Sequence, residues 1–227
     1  CTDKYRDTVD IFRAPEPQIS INGGCLNVPV AMTDISDTLS TGTVSWLWDF
    51  GDGITDSTSG NTTHQYANAG SYTVTLTAVN ANGCRTTTTQ TIDLDPIPVA
   101  DFEGGPGCED TPTLLSSTST VTLGTITSYQ WLFGDSTTSN LQNPSHTFNE
   151  PGTFNVTLIV GSSLGCYDTI VQQVVIHPSP VSNFVFSQAA GCGPLLINFT
   201  DSSYVATGNV VAWNWNFGDG SATDSTQ

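Results

Sequence analysis

One aromatic signature occurs three times in this chain at nearly constant spacing. It reads SWLWDFGDG from residue 45, SYQWLFGDS from residue 128 and AWNWNFGDG from residue 212. Its central tryptophans, Trp48, Trp131 and Trp215, lie 83 and 84 residues apart. The cysteines form two series with steps of 82 to 84 residues, which are Cys25, Cys108, Cys192 and Cys1, Cys84, Cys166. The tryptophan series and both cysteine series thus recur at the same interval, which indicates a tandem array of one structural unit about 83 residues long.

This register divides the chain into whole and partial repeats. We expect whole repeats over residues 17–97 and 98–180, named here the first and second copies. Residues 1–16 match the last strand of a repeat. Residues 181–227, named the third copy, match the N-terminal half of another. The chain is therefore expected to be a window on a longer polymer or a longer polypeptide.

Alternating hydrophobicity within each repeat predicts short β-strands. In the second copy Tyr129, Trp131 and Phe133 share one face, because successive side chains of a strand point to opposite faces. Thr, Ser and Asn at the polar positions, with Gly and Pro between the strands, are typical of short strands joined by turns. About seven strands with a tryptophan on the third indicate an all-β chain of tandem immunoglobulin-like sandwiches. The expected core aromatic residues are Trp48, Phe50, Trp131, Phe133, Trp215 and Phe217.

The charge balance excludes some classes of partner. The chain has 21 acidic and four basic residues, a net charge of -17. Such a surface repels phosphate backbones, so we expect no nucleic-acid partner. No stretch approaches 18 apolar residues, so we expect no membrane span. Six cysteines in a chain with few lysines favour an oxidising compartment, and we expect an extracellular or cell-surface location.

The signature and the segments that follow it resemble the PKD domain. The motifs that carry the resemblance are W-x-F-G-D-G, N-P-S-H-x-F at residues 143–148 and P-G-x-F-x-V-x-L at residues 151–158. With its cysteines the pattern is similar to the PKD repeats of large secreted surface and adhesin proteins of Bacteroidetes-type bacteria, over essentially the whole chain. It departs at Ser136, where the turn glycine is lost, and at Thr62 and Thr63, where N-P-S is absent. The resemblance implies an exported stalk or adhesin module without enzymatic activity.

The aspartates of the FGDG turn are the candidate metal ligands. Asp49 and Asp52, with turn carbonyls, would supply oxygen ligands of the kind that Ca²⁺ takes. The alternative is turn chemistry, in which aspartate accepts backbone hydrogen bonds. Leu132 and Asn216 replace the first acid in the other two copies. We expect no cofactor, with calcium as the alternative that these aspartates offer. His64, which has a counterpart in the second copy, is expected to bond a nearby turn.

The cysteines are expected to form disulfides, because one pair per repeat lacks the clustering of metal ligands. In a sandwich Cys108 would lie in the loop after the first strand, and Cys166 at the opposite end. A strand of about eight residues spans about 26 Å, whereas a disulfide needs Cα atoms within about 7 Å. The preferred bond therefore joins Cys25 to Cys166 of the next repeat. The others, Cys1, Cys84, Cys108 and Cys192, would pair with repeats outside the chain.

Six Asp-Ser or Asp-Thr sites resemble the acceptor motif for O-linked glycans in Bacteroidetes. The alternative is that they are ordinary solvated residues. The hydroxyl residues concerned are Thr8, Thr38, Ser57, Ser136, Thr169 and Ser225.

Two classes of function follow from these patterns. The first is a non-enzymatic structural or adhesive protein that forms a rigid stalk or surface filament. Its partners would be neighbouring repeats of the same fibre and a glycan or protein target on a surface. The alternative is an accessory polysaccharide-binding or protein-binding module of a secreted hydrolase, which an exposed row of Trp46 and Trp213 would favour. A G-x-S-x-G match at residues 161–165 bridges two predicted strands, which is the wrong context for a catalytic serine.

Overall fold

Strands are the only regular secondary structure in the residues that the computed structural model describes. These are residues 11–36, 43–58, 60–187, 190–191, 193, 196–221, 223 and 225. The strands are β1 (Ile19–Ile21), β2 (Gly24–Cys25), β3 (Val30–Asp34), β4 (Thr43–Asp49), β5 (Thr55–Asp56), β6 (Asn61–His64), β7 (Gly70–Asn80), β8 (Arg85–Asp95), β9 (Phe102–Gly104), β10 (Gly107–Cys108), β11 (Pro112–Ser117), β12 (Ile126–Leu132), β13 (Thr138–Ser139), β14 (Ser145–Thr147), β15 (Gly152–Ser162), β16 (Tyr167–His177), β17 (Phe184–Phe186) and β18 (Phe199–Asp201). No helix with the length and apolarity for a membrane crossing occurs in this described part.

The first copy is a sandwich of two sheets around one core. One sheet has the order β1-β3-β6, and the other β2-β8-β7-β4-β5. Trp48 of β4 lies opposite Leu76 of β7 in an antiparallel pair. Met32 from the smaller sheet packs in the same cluster as these two residues. The alternation read from the sequence therefore produces the sandwich, because one face of each sheet is apolar.

The second copy repeats this arrangement strand for strand. Its sheets have the orders β14-β11-β9 and β10-β16-β15-β12-β13. Phe102 of β9 meets the ring of Trp131 edge-on, with 5.0 Å between the ring centroids. Val156, Leu158 and Val160 of β15 are fully buried. The prediction of tandem immunoglobulin-like sandwiches is confirmed by these two copies.

Within each five-stranded sheet one neighbour runs parallel. β2 pairs in parallel with the end of β8, and β10 pairs in the same way with the end of β16. The expectation that Cys108 lies in the loop after the first strand is wrong, since Cys108 and its counterpart Cys25 both lie in strands. They lie in these two-residue strands because the backbone there bonds to the last strand of its own copy.

The expected core aromatic residues are buried in the first two copies and only partly buried in the third. Trp48 and Trp131 are fully buried, and Phe50 and Phe133 nearly so. In the third copy Trp215 is half-buried and Phe217 is 43 % exposed. In the first two copies the tryptophan strands β4 and β12 pair with β7 and β15. The described part of the third copy contains only the β17-β18 pair as a sheet.

Contacts divide the chain into two compact units. The first comprises the chain up to Val99 together with Thr120–Thr127 and Gly161–Asp168. The second comprises Ala100–Ser119, Ser128–Val160 and the residues from Thr169 onward. The turn between β15 and β16, which carries Cys166, therefore belongs to the first unit.

The signature turn requires two residues with positive φ. Gly51 has φ 80° and Gly53 has φ 92°. In the second copy Ser136 occupies the position of Gly53 and keeps a φ of 75°. The lost glycine noted in the sequence therefore leaves the turn unchanged, at the cost of left-handed backbone for a residue with a Cβ, about 1–2 kcal/mol.

Substituting the two glycines of the first copy separates conformational strain from close packing. A Cβ at Gly51 would lie 2.6 Å from the carbonyl oxygen of Thr73, whereas a Cβ at Gly53 would meet nothing within 4 Å. We expect Gly53→Ala to lower the free energy of unfolding by about 1 kcal/mol. Gly51→Ala should lower it by at least about 2 kcal/mol, because the backbone of β7 must also shift. Urea unfolding measures both values, and equal losses would contradict the packing argument.

Candidate functional site

An aspartate–histidine pair closes the signature turn of the first copy. His64, at the end of β6, donates from Nε2 to Oδ2 of Asp52 at 2.7 Å. Its ring stacks on Phe50, with 4.1 Å between the ring centroids and 5° between the planes. Tyr66 packs edge-on against the other side and donates its hydroxyl to the carbonyl of Phe50 at 3.0 Å. The turn is thereby bound to the end of β6, a strand of the smaller sheet.

The second copy contains the same pair. His146 donates to Oδ2 of Asp135 at 2.7 Å and stacks on Phe133, with 4.0 Å between the ring centroids. The expectation that the recurrent histidine bonds a nearby turn is confirmed by these contacts. The sequence analysis missed its aspartate partner. The available signal was that an aspartate and a histidine recur together, separated by 12 residues in the first copy and 11 in the second.

The two aspartates are held ionised by their hydrogen bonds. Burial raises the pKa of Asp52, but the hydrogen bonds from His64 and from the amide of Ile54 lower it more, so the net pKa lies below the ordinary value. Burial likewise raises the pKa of Asp135. The hydroxyl and amide of Thr137, and then His146, outweigh that effect and leave this pKa lowered as well. Each pair is therefore an acid-sensitive contact.

Turn chemistry accounts for the candidate calcium ligands. Oδ1 of Asp49 accepts from the amide of Gly51 at 2.9 Å, and Oδ1 of Asp52 from the amide of Ile54 at 3.0 Å. In the third copy Asn216 stands where Asp49 stands and accepts from Gly218 at 3.0 Å. A neutral amide thus makes the same bond. Among the described residues no group of three or more His, Cys, Asp or Glu side chains could hold a metal ion.

A disulfide joins Cys25 of the first copy to Cys166 of the second, which is the pairing that the sequence favours. The two Cα atoms lie 5.6 Å apart, and 141 residues separate the cysteines along the chain. Cys166 is fully buried. Both cysteines belong to the first compact unit. The bond therefore closes a covalent loop that contains the linker between the two copies.

The remaining cysteines divide into two described and two undescribed residues. Cys84 is a half-buried free thiol, and Cys108 is an exposed one. Cys1 and Cys192 lie outside the described residues. Cys84 lies in the turn between β7 and β8, at the repeat position of Cys166, and Cys108 lies at that of Cys25.

The glycosylation motifs lie on exposed positions where they are described. These positions are Ser57, Ser136, Thr169 and Ser225, whereas Thr8 and Thr38 fall outside the described residues. Exposure permits modification without demonstrating it, so O-glycosylation stays a prediction.

Trp46 and Trp213 do not form an exposed platform. Both are half-buried. The indole Nε1 of Trp46 donates to Oδ2 of Asp34 at 2.5 Å, and its ring packs beside Gly60. An aromatic surface for stacking on sugars needs ring faces open to solvent, and these side chains instead take part in the packing of their own copies.

The Asp52–His64 pair predicts how the stability of the fold changes with pH. Because the folded pKa of Asp52 is below its unfolded value of about 3.9, the ionised carboxylate stabilises the fold above that pH. This stability is lost as the pH falls through the folded pKa. We expect Asp52→Asn to cost about 1–2 kcal/mol at neutral pH and to reduce the loss of stability below about pH 4. Urea unfolding across pH 2–7 tests this expectation.

Asp49→Asn is the matched control, since Asn216 already makes the same turn bond. We expect it to change the free energy of unfolding at neutral pH by less than about 0.5 kcal/mol. A control as damaging as Asp52→Asn would contradict the role given to His64.

Comparison with known proteins relates these copies to one domain type. Two family models, both described as PKD domain, match residues 95–176 and residues 18–92. Collagenase ColA of Bacillus cereus is 42% identical over 57 residues, which is 25% of this chain and 6% of the collagenase. Microbial collagenase of Vibrio alginolyticus is 35% identical over 92 residues, 40% of this chain and 11% of the relative. The chain thus spans only a small part of these curated relatives.

Solved structures of single PKD domains are similar to part of the chain. The PKD1 domain of the Vibrio cholerae metalloprotease PrtV is 36% identical, with 37% of this chain and 99% of that domain covered and a TM-score of 0.34. The PKD1 domain of Vibrio anguillarum Epp is 31% identical, with 37% and 96% covered and a TM-score of 0.34. On the two family matches, this chain belongs to the PKD domain family and carries one copy at residues 18–92 and another at residues 95–176.

Proposed function

We propose that this chain is part of an extracellular, non-enzymatic spacer in which consecutive PKD copies are joined by disulfides. The observation that carries the proposal is the Cys25–Cys166 bond, which connects the first copy to the second in addition to the peptide chain. Neither cysteine belongs to a group of three or more potential metal ligands among the described residues. The bond therefore serves the joint between copies.

A second covalent connection restricts motion at this joint. The linker contains Pro96, Ile97 and Pro98, and proline fixes its own φ and restricts the residue before it. A disulfide that closes a loop of 141 residues also removes chain entropy from the unfolded state, which stabilises the folded chain by on the order of 5 kcal/mol. With the disulfide beside the linker, hinge motion is more restricted than one short linker alone would make it. A stiff spacer or stalk is the function that such a joint supports.

The extracellular location is supported by the chemistry of the bond. Disulfides persist in oxidising compartments and are rare where glutathione keeps thiols reduced. The relatives named as collagenases support the same compartment, since collagen is an extracellular protein. The net charge of -17 keeps such a spacer soluble and disfavours contact with anionic surfaces.

A binding role within a secreted hydrolase is the second candidate, because PKD copies of this kind match segments of proteins named as collagenases. Its weakness is that Trp46 and Trp213 are half-buried. Co-sedimentation of the chain with collagen fibrils and with insoluble polysaccharide tests it. We expect no saturable binding, and saturable binding that Trp46→Ala abolishes would favour the second candidate.

Removing the disulfide should loosen the joint. We expect Cys25→Ser to broaden the distribution of interatomic distances measured by small-angle X-ray scattering, because only the proline-containing linker then connects the copies. Cys84→Ser is the matched control, since that thiol is free, and it should leave the distribution unchanged. Near-ultraviolet circular dichroism checks that both variants keep folded cores. Identical scattering from Cys25→Ser and the unmodified chain would overturn the spacer proposal.

A further inference from the structure

The bonded cysteines meet at one backbone position. Cys25 lies opposite Asp95 in the parallel pairing of β2 with β8. The amide of Leu26 donates to the carbonyl of Asp95 at 2.8 Å. Sγ of Cys166 lies 3.9 Å from that same carbonyl oxygen. The end of the last strand of a copy is therefore where a Gly-Cys strand and a turn cysteine come together.

The turns that carry Cys166 and Cys84 are built alike. The amide of Ser162 donates to the carbonyl of Cys166 at 2.8 Å, and the Ser162 hydroxyl accepts from the Cys166 amide at 3.2 Å. Asn80 makes the same two bonds with Cys84, each at 3.0 Å. A free cysteine and a bonded cysteine are thus presented in the same way.

Cys84 lies beside the carbonyl that corresponds, one repeat earlier in the chain, to the carbonyl beside Cys166. Its Sγ lies 3.8 Å from the carbonyl oxygen of Phe12. Asn80 donates from its side chain to the carbonyl of Arg13 at 2.8 Å. Phe12 and Asp95 are 83 residues apart, one repeat period. Phe12 is therefore placed against Cys84 as Asp95 is placed against Cys166.

The backbone beside Cys166 is paired with a Gly-Cys strand, whereas the backbone beside Cys84 is not. Gly24 and Cys25 lie opposite Leu94 and Asp95. Ile11 and Phe12, at the equivalent positions, are 90% and 52% exposed, and no described residue forms a strand with them. The thiol of Cys84 is free beside this open backbone edge.

We infer that Cys84 forms a disulfide with a Gly-Cys strand of another PKD copy, whose glycine lies opposite Ile11 and whose cysteine lies opposite Phe12. This inference rests on the proposed function, and it adds the partner, the strand direction and the register. Parallel pairing there would bring the incoming cysteine to Cys84 as the Cys25 strand is brought to Cys166, with Cα atoms 5.6 Å apart.

Cys108 occupies the other position of such a bond, the one in the Gly-Cys strand. It lies opposite His177 in the parallel pairing of β10 with β16, and the amide of Glu109 donates to the carbonyl of His177 at 2.9 Å. These are the contacts of Cys25 and Leu26 with Asp95. Cys108 is exposed and free, so it has the position of a Gly-Cys strand awaiting a turn cysteine. Each Gly-Cys strand thus serves the turn of the following copy.

The bond forms by oxidation of two thiols. Two S–H bonds break and one S–S bond forms, with release of two protons and two electrons. A disulfide of the extracellular space, either a small molecule or an oxidoreductase, accepts both electrons and both protons and becomes two thiols. Oxidised glutathione supplies this oxidant in the test.

The sharpest test adds one copy to the intact chain. Residues 17–83 are duplicated ahead of Cys1, so that residues 1–16 complete the added copy as its last strand. After refolding with oxidised glutathione, non-reducing proteolysis and mass spectrometry should find the added copy's Cys25 bonded to Cys84. Maleimide labelling of Cys84 should fall at least tenfold. The matched control carries serine in place of the added copy's Cys25 and should leave Cys84 fully labelled.

The outcomes separate this inference from the proposed function. If Cys25 and Cys166 are bonded but the added copy's Cys25 is free or bonded to Cys1, this inference alone is overturned. If Cys25 and Cys166 are not bonded, the proposed spacer function fails first.

A second probe applies to the unmodified chain, where folding of an added copy plays no part. With oxidised glutathione as the oxidant, a synthetic peptide of residues 20–30, SINGGCLNVPV, should form a mixed disulfide with Cys84 faster than with Cys108, although Cys108 is the more exposed thiol. Reaction in the order of exposure would overturn the inference.

Discussion

The antiparallel pairing of β4 with β7 is the contact on which the rest of each copy depends. It sets Trp48 opposite Leu76 and thereby decides which face of the five-stranded sheet is apolar. A slip of β4 by one residue would turn Trp48 toward solvent while Leu76 kept its face, because side chains alternate along a strand. The smaller sheet packs on the face so chosen.

The same sheet determines where the cysteines lie. β7 and β8 form a hairpin of eleven-residue strands, so its turn and its last residue are at opposite ends of the copy. Cys84 is held in the turn, whereas Cys25 is held beside Asp95 at the far end of β8. A bond within one copy would have to cross the length of the sheet, which a disulfide cannot do. Bonding between successive copies follows from the length of this hairpin.

The repeat, the strands and the inward faces could be predicted from the sequence because they depend on period and alternation. Phe154, Val156 and Leu158 illustrate this, since their spacing alone assigns them to one face. The two-residue parallel strands could not be predicted, because Gly24 and Cys25 carry no alternation and bond only through their backbones. The Asp52–His64 contact also depends on where two separate strands end. Recurrence of both residues was visible, but their distance was not.

The disulfide and the aspartate–histidine pairs stabilise different parts of this chain. The aspartate–histidine pairs act inside single copies and are weakened when acid protonates the carboxylates. The disulfide acts at the joint and is insensitive to that titration. Acid would therefore loosen individual copies before it disconnects them, whereas a reductant would release the joint and leave each sandwich with its own core. In a spacer of the kind proposed, no single chemical change would therefore remove both kinds of order.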